Sequence, residues 1–77
     1  MHLTLDQLSP GAHCVVVKVT GEGAVRRRLF DLGITPGAYI VYKKNAPFGD
    51  PIEIMVRDYE LSLRKKEAQA IIVQKEA

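Results

Sequence analysis

Apolar and polar residues alternate with a two-residue repeat along most of this chain, and the repeat switches once to a helical one. Ala12 to Val19 places Val15, Val17 and Val19 on one side of an extended chain and Cys14, Val16 and Lys18 on the other, in a segment rich in β-branched types. Tyr39 to Lys43 predicts a second strand. Ile52, Ile54 and Val56 alternate with Glu53, Met55 and Arg57 in a third, Leu61 and Leu63 mark a fourth, and Ala70 to Val73 a last. Between the first two strands the spacing becomes Val25, Leu29, Leu32, the i, i+4, i+7 pattern of one helical face, with Gly33 as the stop.

The connections carry their own signals. Thr4 is placed to cap one short turn over Leu5 to Leu8 with its hydroxyl. Ser9-Pro10-Gly11 then predicts a type II turn, because proline presets the first central φ and glycine supplies the positive second one. Ile34-Thr35-Pro36-Gly37-Ala38 repeats the order of Leu8-Ser9-Pro10-Gly11-Ala12, so both strands are expected to be entered by the same turn. Asn45 to Pro51 predicts a long hairpin tip, in which Gly49 and the Asp50-Pro51 step shape the return. Asp58-Tyr59 predicts a tight reversal, and Lys65 to Gln69 a polar turn.

Five short strands and one helix after the first strand, joined by tight turns in 77 residues, predict a mostly β fold of one domain over residues 1–77. Closing such strands into a barrel removes exposed edges, and an SH3-like barrel is the architecture that fits. An OB-fold is the alternative, but it is longer and places its helix later.

A chain this short buries only about 60% of its unfolded surface, so a catalytic cleft would consume residues that the core needs. Binding through a surface is the expected mode of action. Eleven Lys and Arg against nine Asp and Glu leave +2, well below the charge density of phosphate-backbone binders. The single cysteine, Cys14, excludes an internal disulfide and fits a reducing compartment, the cytoplasm. Met1 to Pro10 lacks the order of a signal peptide, and no apolar run reaches the roughly 20 residues of a membrane span. Direct membrane insertion is therefore not expected.

Gly21-Glu22-Gly23 lacks the frame and the Lys-Ser/Thr pair of a phosphate loop. His2, His13 and Cys14 are too few for an intramolecular metal centre, and His13 and Cys14 point to opposite faces of a strand. An intermolecular site using either remains open. No Ser or Cys is grouped with a His and a carboxylate, and Asp50 and Glu53 belong to the hairpin rather than to an acid–base pair. No enzymatic activity, metal or cofactor is expected.

The candidates for partner binding are Arg26, Arg27, Arg28, Pro47 and Phe48. The arginines are expected in the first turns of the helix, where its dipole disfavours cations, with Asp31 offsetting part of the cost. They either dock a partner or form a solvated face. Lys43-Lys44 and Arg64-Lys65-Lys66 would extend a basic patch if the fold joins them. Phe48 either folds back over the barrel end as core or projects as an aromatic anchor.

Arg28-Leu29-Phe30-Asp31-Leu32-Gly33-Ile34-Thr35-Pro36-Gly37, then Ala46-Pro47-Phe48-Gly49-Asp50-Pro51, then Leu61-Ser62-Leu63-Arg64-Lys65-Lys66 closely resemble the FeoA family in order and spacing. The resemblance implies an SH3-like barrel in the cytoplasm that serves bacterial ferrous iron uptake beside FeoB, a membrane iron transporter with a G-protein domain. It implies docking on that transporter's cytoplasmic domain or membrane part, with a homo-oligomer as a further option. Similar domains end iron-dependent repressors, but no DNA-binding helix pair precedes this one. Two other functions fit the residues: a small barrel binding nucleic acid through the basic clusters with Tyr39, Tyr42 and Tyr59 stacking, and a dimeric metal-responsive sensor using His13 or Cys14.

Overall fold

The computed structural model describes residues 2–76. Strands β1 (Leu3–Thr4), β2 (His13–Val19), β3 (Tyr39–Asn45), β4 (Ile52–Val56), β5 (Tyr59–Leu63) and β6 (Ile71–Lys75) are interrupted by a 3₁₀ turn (Leu5–Gln7) and helices α1 (Gly23–Asp31) and α2 (Lys65–Ala68). All strand pairs are antiparallel, in the order β1-β6-β2-β3-β4-β5. The buried residues of this curled sheet and of the helix and turns packed on it form one cluster, with Leu5, Leu29, Ile34, Ile40, Ile54, Leu63 and Ile71 at its centre. This is the mostly β small barrel that the alternation predicts, with six strands rather than five.

The differences have local causes. β1 is two residues long, too short to show an alternation, and it exists because β6 offers Val73 and Ile72 as partners. α2 replaces the expected polar turn: Glu67 reaches back to accept the Arg64 N–H at 2.9 Å, while Asp50 Oδ1 accepts the Lys65 N–H at 2.9 Å. The β4–β5 reversal occurs at Arg57-Asp58, with Arg57 at φ 56° and Tyr59 already in the strand. Thr4 does not cap with its hydroxyl, which donates instead to Asp6 Oδ1; its backbone N–H is accepted by Gln7 Oε1.

In β2 the expected faces hold only to the middle. Cys14 and Val16 point inward, a bulge against β6 falls between Val16 and Lys18, and Val19 then points inward as well. An extra residue opposite one partner reverses the alternation beyond it, so a single strand draws core residues from both parities.

The two Pro-Gly turns are related by a local two-fold. Gly11 and Gly37 both have φ 92°, and each turn closes, Ala12 N–H to Ser9 O at 3.0 Å and Ala38 N–H to Thr35 O at 2.9 Å. Gly11 N–H then donates to Tyr42 O at 2.7 Å and Tyr42 N–H to Ala12 O at 2.9 Å. The equivalent bonds run from Gly37 N–H to Val16 O at 2.8 Å and from Val16 N–H to Ala38 O at 2.9 Å. Each turn is thus hydrogen-bonded to the strand that the other one starts, and Cys14 pairs with Ile40 at the centre.

Candidate functional site

The three arginines do not stand in the first turns of α1. With Gly23 as the first helical residue they occupy its middle and end, and Arg28 lies in the last turn, where the dipole favours a cation. The fold separates their roles. Arg28 pairs with Glu67 of α2 rather than with Asp31, an exposed pair of the kind worth about 0–1 kcal/mol. Arg26 lies over the Phe30 ring at 4.5 Å from its centroid, and its Nε donates to Val19 O at 3.4 Å. Arg27 makes no hydrogen bond or ion pair among the described residues and is exposed. Of the three, it is the group left free for a partner.

At the β3–β4 tip, Ala46 N–H donates to Pro51 O at 3.0 Å and Gly49 N–H to Ala46 O at 2.7 Å, so the backbone of the loop closes on itself. Phe48 at its apex is 99% exposed, and Pro47 beside it is exposed as well. The ring does not fold back over the barrel end. The Asp50 bond to Lys65 N–H ties the base of the tip to the start of α2, and the pairing of Ile52 with Leu63 sets Pro51 beside Arg64. An open cavity of about 350 Å³ there is lined by Arg28, Pro51, Ser62, Leu63, Arg64 and Glu67. On the other side of the tip, Lys44 pairs with Glu53 and Asn45 with Ile52. The two basic segments whose meeting the sequence leaves open therefore flank one hairpin base.

The remaining turn residues lie where the backbone needs them. Pro10 and Pro36 precede the paired glycines, Gly33 follows α1 with φ 88°, and Gly49 has φ 85° in the tip.

His13 is exposed and Cys14 fully buried on the opposite face. His13 Nδ1 lies 2.6 Å from the Tyr39 hydroxyl, its counterpart across the local two-fold. Burial, with a smaller contribution from Glu76, pushes the Cys14 thiol up to about 11, so it is protonated and sealed from a metal ion at neutral pH. No group of three or more His, Cys, Asp or Glu placed to hold a metal occurs among the described residues. Among the described residues no helix is long and apolar enough to cross a membrane. Of the tyrosines proposed as a stacking platform, Tyr42 is core, and the Tyr59 hydroxyl donates to Leu32 O.

Glu67 is the functional-looking residue that sequence reasoning passes over. Its carboxylate serves both Arg28 and the Arg64 N–H. The signal available was its position three residues after Arg64 at the head of a Lys-Lys-Glu-Ala run of helix formers.

Residues 3–75 match the FeoA domain family. A fusion of Fe(2+) transport protein A with the Fe(2+) transporter FeoB in Porphyromonas gingivalis is 35% identical over 72 residues, which are 94% of this chain and 8% of that protein. The chain thus spans under a tenth of that relative's length. The solution structure of FeoA from Chlorobium tepidum is 41% identical, with a TM-score of 0.90 over 97% of this chain and 71% of that one. The zinc complex of Stenotrophomonas maltophilia FeoA, described as a prokaryotic SH3 domain protein and suggested to be a ferrous iron transport activating factor, is 28% identical. Its TM-score is 0.85 over 96% of this chain and 95% of that one.

Proposed function

The chain belongs to the FeoA family, and on that premise we propose that it is a cytoplasmic accessory protein of bacterial ferrous iron uptake. It acts by docking on the cytoplasmic side of a FeoB-type transporter, on the G-protein domain or the membrane part, and changing that transporter's activity or assembly. The observation that carries this reading is the fusion relative, in which a segment like this chain is covalently joined to the transporter. A covalent link holds two modules at high effective concentration, which is useful where they meet in the working state.

The surface offered for docking has two parts. Arg27 on α1 is exposed and unengaged among the described residues, and Pro47 and Phe48 are exposed at the tip. Both are binding features, and neither is accompanied by a nucleophile or an acid–base pair. A partner that meets the chain better in one of its conformations is shifted toward that conformation by the difference in affinity. The test is capture of the detergent-solubilised transporter by the purified chain. Retention of the transporter, weakened by Arg27→Gln, supports the docking; no retention at micromolar chain refutes it.

A further inference from the structure

Phe48 is a large apolar ring that is 99% exposed, at the apex of a loop closed by the backbone bonds of Ala46 with Pro51 and Gly49. Tyr39, Tyr59 and Val25, the other exposed large apolar residues, keep more than half of their surface covered. The surroundings of the tip are cationic. Lys43, Lys44, Arg64, Lys65 and Lys66, on the strand ends and helix beside the hairpin base, stand against Asp50 and Glu53, a net +3, with Arg28 and Glu67 cancelling as an ion pair. Asp50 also accepts the Lys65 N–H, and Glu67 the Arg64 N–H.

We infer that the β3–β4 tip is a peripheral membrane contact: Phe48 enters the headgroup–acyl boundary of an anionic bilayer while the lysines and arginines around the hairpin base meet its lipid phosphates. The inference rests on the proposed place beside a membrane transporter and departs from the expectation that the chain makes no direct membrane insertion. One projecting ring above a hairpin base of net positive charge suits an anionic interface, because the ring leaves water while the charges stay among headgroups. Such a contact is weak and reversible by itself, and it adds to transporter docking as a second signal.

The test is co-sedimentation of the full chain with phosphatidylcholine vesicles with and without phosphatidylserine. The wild-type chain should sediment only with the anionic vesicles and be released by about 0.5 M salt, which screens the charges to a few ångströms. Phe48→Ala should weaken vesicle binding about tenfold. Lys44→Gln combined with Lys65→Gln should weaken it about thirtyfold, each cation being worth about fivefold. The chain has no tryptophan, so Phe48→Trp is a sole reporter whose emission should shift to the blue with anionic vesicles. Absence of sedimentation, a Phe48→Ala variant that sediments like wild type, or an unshifted tryptophan overturns the inference. If Phe48→Ala spares vesicle binding but loses the detergent-solubilised transporter, the ring belongs in a protein pocket, and the docking stands without the lipid contact. Vesicle binding without transporter capture refutes the docking alone.

Discussion

The Pro-Gly turns ahead of β2 and β3 and the tip between β3 and β4 draw on the same residue types, yet the fold treats them in opposite ways. Each Pro-Gly turn follows a buried apolar residue, Leu8 or Ile34, and bonds across to the facing strand through its glycine N–H. The tip bonds only to itself and to the start of α2, and it leaves Phe48 in solvent. In the first pair the apolar residues that lead into the turns are covered by the barrel, and the turns themselves are held by backbone bonds to the facing strand. At the tip the aromatic ring touches almost nothing of the chain itself.

The largest expected effect breaks the turns. Gly37→Val should lower stability by about 1–3 kcal/mol, and Gly11→Val by a similar amount, because φ near 92° strains any residue with a Cβ. A Cβ at either site meets nothing within 4 Å, so the cost is conformational and not steric. Equal shifts in the thermal midpoint support the local two-fold, and an unchanged midpoint for either variant contradicts the turn geometry.

The centre of that two-fold carries a pH dependence. Cys14 ionises near its ordinary 9.0 in the unfolded chain and near 11 in the fold, so the folded state keeps its proton longer. Stability from this group is complete below pH 9 and is lost as pH rises toward 11, by about 2 kcal/mol. Cys14→Ala should flatten the alkaline limb of a denaturation series measured from pH 8 to 11, whatever its fixed cost in packing. A limb that keeps its full slope would assign the dependence to other groups.

On the exposed side, Arg27→Gln should leave the melting midpoint in place and weaken transporter capture by about three- to fivefold, as loss of one exposed charge contact does. Arg26→Gln sharpens the contrast, since it removes the contact with Phe30 and should lower stability measurably. The smallest stability effect is expected at the most exposed residue: Phe48→Ala should cost under about 0.5 kcal/mol, against about 3–5 for a core phenylalanine. A cost in the core range would mean that the ring is covered in solution.

Much of this was readable in advance because it is local. Pro-Gly steps fix two turns within four residues, and the alternation of Ile52, Ile54 and Val56 gives a strand without reference to its neighbours. The bulge in β2 was not readable, because it depends on how β6 lies against Val16 and Lys18. The division of the arginines was not either. Arg26, Arg27 and Arg28 are alike in sequence, and only α2 and Phe30 distinguish them by supplying partners.

By itself, then, the sequence determined five of the strands, the longer helix, the paired turns and, through its family motifs, the SH3-like fold, since each is written in residues near one another along the chain. The tertiary structure decided which distant segments meet. It inserted β6 between β1 and β2, brought the two basic segments to one hairpin base, sealed Cys14 and left Phe48 bare. Burial and charge proximity depend on positions in three dimensions, and residue spacing along one strand or loop carries no record of what lies across from it.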